Sequence, residues 1–197
     1  FYNAKNNKFK TYEEGLEVIE DRLLASVKDQ MISDVPLGAF LSGGIDSSLI
    51  AGMMQSVSSI PIKTFTIGFD DPAYDESVYA KKVANYLEAD HTTAFLQPKE
   101  AIDVIPELPN IYSEPFADSS QIPTYLVSKI AKQDVTVALS GDGCDEMFAG
   151  YNRYFWGENI WKYLSWMPFS GRKFVGSFLN SLPHVVLDAG QSVFNRS

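Results

Sequence analysis

The run FLSGGIDSSLIAG, residues 40–52, sets small residues and a carboxylate between two apolar stretches. A second run, SGDGCDE, residues 140–146, again follows Ser-Gly with closely spaced acids. Gly43 and Gly44 remove side chains where a backbone must curl and come close to a ligand. A helix starting near Asp46 aims free N–H groups and the positive end of its dipole at the same point. Such a turn suits phosphate oxygens, with Ser42, Ser47 and Ser48 as further hydroxyl donors. An aspartate inside a phosphate cradle repels its ligand unless a cation lies between them. Asp46 therefore argues for bound magnesium, with Asp145 a natural second ligand. The wider glycine spacing and Lys-Ser or Lys-Thr pair of the common nucleotide-hydrolase loop are missing. The same residues would also make plain strand-to-helix turns, with Asp46 or Ser47 as N-cap and Asp142, Asp145 and Glu146 as an acidic helix start.

Elements must carry these loops to one place. Apolar positions Leu16, Ile19, Leu23, Leu24, Val27 and Met31 predict a helix over 11–32, opened by a Thr11/Glu14 capping box. PLGAFLS, 36–42, reads as a buried strand, followed by a helix at 46–57, a strand at 62–69, a helix at 75–89 and a strand at 90–96. A helix from Gln97-Pro98 to Leu108, a loop rich in proline and acid, and a helix at 121–133 come next. VTVALSG, 135–141, is apolar enough for a strand buried on both faces. The alternation predicts an α/β fold, a three-layer parallel sheet with covering helices. Both loops then lie at carboxyl ends of strands, where ligands sit in open sheets. One domain is expected over 1–150, and 151–197 reads as the start of a helical region whose FWGENIWKYLSWM cluster suits a core or an interface.

Bulk properties narrow the classes. With 197 residues, 45% hydrophobic and 21% charged, the chain has the composition of an ordinary globular protein. No run approaches the ~20 apolar residues of a membrane helix, so no membrane role is expected. A net charge of −9 repels polyanions and favours small substrates over nucleic acid. Cys144 is the single cysteine, which excludes an internal disulfide and fits a reducing cytoplasm. Its acidic neighbours would raise its pKa, and it reads as inert. His91 and His184 are too far apart in sequence to suggest a zinc site, and His91 is expected on or beside the third strand without a ligand role. A start at Phe1 leads us to expect a fragment of a longer protein.

SGGIDSS resembles the pyrophosphate-binding loop of the ATP pyrophosphatase superfamily, whose HUP-like members include GMP, NAD, tRNA lysidine and argininosuccinate synthetases. Three further stretches, SGDGCDEMFAGYNRY at 140–154, EPFADSSQIPTYLVSK at 114–129 and FTIGF at 65–69, are similar to glutamine-hydrolysing asparagine synthetases and their β-lactam synthetase relatives. The resemblance implies that Ser42, Gly43, Gly44, Asp46 and Ser47 cradle the phosphates of ATP, with Asp46 and Asp145 holding magnesium. It implies that the backbone of Leu41, Ile67 and Gly141 and the side chain of Ser140 border the adenosine, and that Asp142 is the general base. Glu114 and Asp118 fall in the stretch expected near the acceptor.

The activity implied is ATP-dependent amide formation by carboxylate adenylation, from aspartate and glutamine-derived ammonia. An N-terminal glutaminase domain, a cytoplasmic location and a possible homodimer come with it. A β-lactam-forming or other adenylating relative would use a tyrosine near the acceptor loop, for which Tyr112 and Tyr125 are candidates. A catalytically inactive nucleotide-binding fragment is the third reading, since the family's downstream triphosphate lysine has no counterpart before Ser197. Cys144 and Ala149 replace another small residue and a glycine of the family pattern, and Ala149 would be strained wherever that backbone requires positive φ.

Overall fold

A computed structural model describes residues 9–69, 71, 75–115 and 117–180; His184 and the 181–197 part of the expected helical region lie outside the described residues. The chain separates into two compact units between Asp142 and Gly143, inside the second loop.

In the first unit, helix α1 spans Tyr12–Gln30. Thr11 Oγ1 accepts the Glu14 N–H at 3.1 Å, which is half of the expected capping box. The reciprocal half moves back one residue, because the Glu14 carboxylate accepts the Lys10 N–H at 2.8 Å. Strand β1 (Leu37–Phe40), helix α2 (Ile45–Val57), strand β2 (Lys63–Phe69), helix α3 (Ser77–Tyr86) and strand β3 (Asp90–Leu96) follow in the expected order. The single helix expected up to Leu108 is instead α4 (Pro98–Val104), a 3-10 turn (Ile105–Glu107) and α5 (Leu108–Ile111). Pro106 and Pro109 lack N–H donors, so the helical ladder cannot run through them unbroken. Helix α6 (Gln121–Ala131) and strand β4 (Val137–Leu139) complete the unit.

The four strands are parallel in the order β3-β2-β1-β4, with Gly38 opposite Lys63 in β2 and Ala138 in β4. After β1 the chain builds outward through β2 and β3, then returns to the other side of β1. Strand order therefore reverses between β1 and β4, which is where an open α/β sheet leaves a crevice. Alternation along the strands feeds two faces. Ala39 and Leu41 pack with Val27, Ala51, Met54, Ala80 and Ala84 from α1, α2 and α3. Phe40 and Phe65 pack with Val127, Ile130, Ala131 and Val135 around α6. Helices on both faces make the three layers. Strand β4 is less buried than its apolar sequence predicts, with Val137 at 40% exposure, because it is an edge strand among the described residues.

Helix α3 stops where a non-glycine residue takes the left-handed conformation: Glu88 has φ 55. The Ala89 N–H reaches back to the Ala84 carbonyl at 3.0 Å, closing a Schellman motif around Glu88. A side chain costs about 1 kcal/mol or more in that conformation, and glycine does not. Glu88→Gly should therefore raise stability by about 0.5–1 kcal/mol after the added entropy of the unfolded chain is subtracted. Urea unfolding checks this, and an unchanged or lower midpoint is the contrary result.

His91 lies on β3, its Nδ1 2.8 Å from Thr64 Oγ1 and its Nε2 3.0 Å from Thr93 Oγ1. Burial first, and the Lys81 charge second, hold its pKa below the ordinary 6.5. The unfolded chain then binds a proton more readily than the folded one. The stability contributed is full above pH 6.5 and falls as pH drops through that value toward the lower folded pKa. In His91→Gln that slope should disappear from a plot of urea midpoint against pH.

The second unit is helical where described, with α7 (Cys144–Phe148), α8 (Asn152–Leu164) and α9 (Phe169–Asn180). Ala149 follows α7 with φ 57 and ψ 39, so the strain expected of an alanine there is present. Among the described residues no helix is long and apolar enough to cross a membrane.

Candidate active site

The first loop is tied by its own serines. Ser47 Oγ lies 2.9 Å from Ser42 Oγ and accepts the Ser42 N–H at 3.2 Å, and Ser42 Oγ accepts the Gly44 N–H at 3.2 Å. These two hydroxyls shape the turn. Ser48 Oγ is buried with no hydrogen-bond partner among the described residues. Gly43 has φ 82, and a Cβ there would lie 2.7 Å from the Tyr79 carbonyl carbon at the start of α3. Gly43 is thus required by packing against the protein itself. Gly44 is the open one: a Cβ there would meet only Ser42 Oγ, at 3.3 Å.

Helix α2 begins after Gly44 without a side-chain cap, whereas α1 has Thr11. Its first-turn N–H groups are left for water or a ligand. Asp46, in that turn, is half-buried. Leu41 leads into the loop with its backbone engaged, its N–H donating to the Phe65 carbonyl at 3.0 Å and its carbonyl accepting from the Thr66 hydroxyl. Ile67, on the same strand as Thr66, is half-buried against the Leu96, Val104 and Leu126 cluster.

The second loop comes directly onto the first. A Cβ on Gly141 would lie 2.8 Å from the Ser47 nitrogen and 2.9 Å from the Asp46 carbonyl carbon, so the two backbones are in contact. Ser140 Oγ donates to Asp142 Oδ2 at 2.9 Å and tethers that exposed carboxylate beside Gly141. The structure thus brings together Leu41, Ser42, Gly43, Gly44, Asp46, Ser47, Ser140, Gly141 and Asp142. Asp145 belongs to the second unit, on α7, where its carbonyl accepts the Gly150 N–H at 3.0 Å.

Glu114 borders a groove of about 360 Å³, lined also by Leu108, Tyr112 and Gln121. The Tyr112 hydroxyl donates to the Gln121 carbonyl at 3.0 Å. Asp118 is turned toward α6, accepting the Ser120 N–H at 2.8 Å, and the Ser120 backbone and hydroxyl hold its pKa below the ordinary value. Sequence reading missed three supports. Thr66 anchors Leu41, Tyr79 and Ala80 receive Gly43, and Asp75 accepts the Phe69 and Ser77 N–H groups at 3.3 and 3.0 Å. Only Asp75, two residues ahead of a serine at a helix start, carried a local signal. Among the described residues no group of three or more His, Cys, Asp or Glu is placed to hold a metal ion.

The family model described as asparagine synthase matches residues 18–196. The chain belongs to the asparagine synthase family. A protein of Methanocaldococcus jannaschii is 44% identical over 151 residues, covering 76% of this chain and 28% of its own. The asparagine synthetase (glutamine-hydrolyzing) 1 of Bacillus subtilis is 39% identical over 155 residues, covering 78% and 24%. The chain therefore spans about a quarter of the length of these curated relatives. Among solved structures, the NMN synthetase of Francisella tularensis superposes with a TM-score of 0.50 at 17% identity, over 68% of this chain and 58% of that one. That likeness supports the α/β fold.

The loop-to-loop contact gives a direct test. Backbone atoms cannot swing aside as a flexible side chain can, so Gly141→Ala should force the loops apart and destabilise the chain by about 1–3 kcal/mol. A urea midpoint equal to that of the unaltered protein would contradict the contact.

Proposed function

We propose that this chain is the ATP-activating part of an amide-forming enzyme, an asparagine synthase that in its full-length form uses aspartate and glutamine-derived ammonia. The observation that carries the reading is the contact of Gly141 with Asp46 and Ser47 at the strand-order reversal. Family membership over residues 18–196 narrows it from nucleotide binding in general to amide formation.

In this reading the triphosphate lies over Gly44, Asp46 and Ser47, with Ser42 and Gly43 shaping the turn and the N–H groups of α2 directed at its oxygens. The backbone of Leu41, Ile67 and Gly141 and the side chain of Ser140 border the adenosine. Asp46 would hold magnesium, a role that the family resemblance gives to Asp145 as well. A carboxylate in a phosphate cradle fits that ion, which is ordinarily bound by one or two carboxylates with substrate phosphates and water rather than by an all-protein cage. When bound, it supplies positive charge against the departing pyrophosphate.

The aspartate side-chain carboxylate attacks the α-phosphorus, forming an acyl O–P bond and breaking the bond to pyrophosphate. Ammonia then attacks the acyl carbon, AMP leaves with the oxygen, and the nitrogen loses a proton to Asp142. The Ser140 tether fixes where that carboxylate waits. Glu114, on the groove with Tyr112, is assigned to the acceptor, and Asp118 to the start of α6 beside it. The Tyr112 hydroxyl already donates to Gln121, which favours external ammonia over chemistry that recruits this tyrosine.

The test is product analysis on the full-length protein with ATP, magnesium, aspartate and ammonia. AMP and pyrophosphate formed in step with asparagine are the expected products. ADP and phosphate would overturn adenylation, and turnover with other carboxylates but not aspartate would overturn the acceptor.

A further inference from the structure

One carboxylate joins the end of β2 to the start of α3. Asp75 Oδ1 accepts the Phe69 N–H at 3.3 Å and the Ser77 N–H at 3.0 Å. Glu76 occupies the cap position of α3 without a side-chain bond, so Asp75 serves that helix end from one residue earlier. The Ser77 hydroxyl first, then the Ser77 and Phe69 N–H groups, hold the Asp75 pKa below the ordinary 3.8, and the carboxylate is ionised at neutral pH.

Each end of this link leads to a different part of the site. Backbone polar groups alternate from side to side along a strand, and the Phe65 carbonyl faces β1, where it accepts the Leu41 N–H. Those of Ile67 and Phe69 therefore turn to the same side, past the last β1 pair at Phe40 and Phe65. At the other end, Tyr79 and Ala80 receive the first loop. A Cβ on Gly43 would lie 2.5 Å from the Ala80 nitrogen and 2.7 Å from the Tyr79 carbonyl carbon.

We propose that Asp75 is a positioning residue that fixes the distance between the adenosine and phosphate ends of the nucleotide site, by holding the strand end that carries Ile67 to the helix start that seats Gly43. The inference rests on the functional reading above, in which the Ile67 backbone borders adenosine and the Gly43 loop cradles the phosphates. Asp75 itself touches neither end of the ligand. A ligand that spans both ends gains from a spacing set in advance, because less ordering is left to be done on binding. A ligand that reaches one end only is indifferent to it.

The experiment uses the full-length protein and calorimetric titration, in magnesium, with three ligands: ATP for both ends, AMP for the first and pyrophosphate for the second. Asp75→Ala should weaken ATP binding several-fold and leave AMP and pyrophosphate binding nearly unchanged. Asp75→Asn keeps an accepting oxygen in place and should recover most of the loss. Asp75→Glu keeps the charge but sets the oxygen one methylene further out, and it should bind ATP as weakly as Asp75→Ala does. Those two variants decide the matter even where Asp75→Ala fails to fold.

Weakening of all three ligands together, with a lowered melting temperature, would overturn positioning in favour of a general structural role. Full ATP binding in Asp75→Glu with loss in Asp75→Asn would overturn it in favour of a charge that acts on the ligand directly. Unaltered protein that binds none of the three would overturn the functional reading itself, whereas ATP binding that every variant retains would overturn the positioning alone.

Discussion

The contact between the Gly141 backbone and the Asp46–Ser47 backbone is the constraint on which the site depends. Two strand-end loops that far apart in sequence meet only because β4 pairs with β1, placing Ala138 opposite Gly38 and Leu139 opposite Ala39. Parallel pairing makes both strands end on the same side. Reversal of strand order means that no crossover helix fills the space between them. A residue with a Cβ at 141 would hold the loops apart, so the glycine is demanded by the sheet before any ligand is considered.

The same economy runs through the first loop. Its serines bond to each other and to the loop backbone, Gly43 gives way to the start of α3, and Thr66 fastens the Leu41 carbonyl. What remains turned outward is Gly44 with the uncapped N-terminus of α2. A loop that spends its hydroxyls on itself is rigid, and rigidity is what an anion site needs. N–H groups already aimed need no reorganisation when charge arrives. The motif thus combines two roles that the sequence alone cannot separate, the folding of a tight turn and the presentation of donors.

That ambiguity sets how far the sequence could be read. Strand and helix order was legible because the periods are strong, as with Leu16, Ile19, Leu23 and Val27 along α1. The pairing of SGGIDSS with SGDGCDE was legible because both follow apolar strands. Where reading fell short, a long-range partner decided. The orientation of Ser42 and Ser47 depends on each other, and the exposure of Val137 depends on β4 being an edge. Glu88 in a left-handed position gives no sign of itself, since nothing about glutamate marks the end of α3. Pro106 and Pro109 did mark a break, but a helix with prolines in each short piece still covers Leu96 and Leu126 through Val104.

Charge gives the last step. A chain with net charge −9 that binds a polyphosphate must gather positive charge locally. The N-terminus of α2 contributes only about half an elementary charge, against several on the ligand. Placing Asp46 in that same turn spends the contribution and reverses the local sign. Such an arrangement favours binding only if the ligand arrives with a cation. Under the proposed function Asp46 would then change from repelling the nucleotide to recognising its metal complex, and discrimination against bare polyanions would follow from Coulomb's law in a half-buried turn. Gly44, not Asp46, is the N-cap of α2, so the carboxylate sits in the first turn, a position that the helix dipole also favours, and leaves the helix N-terminus without a side-chain cap.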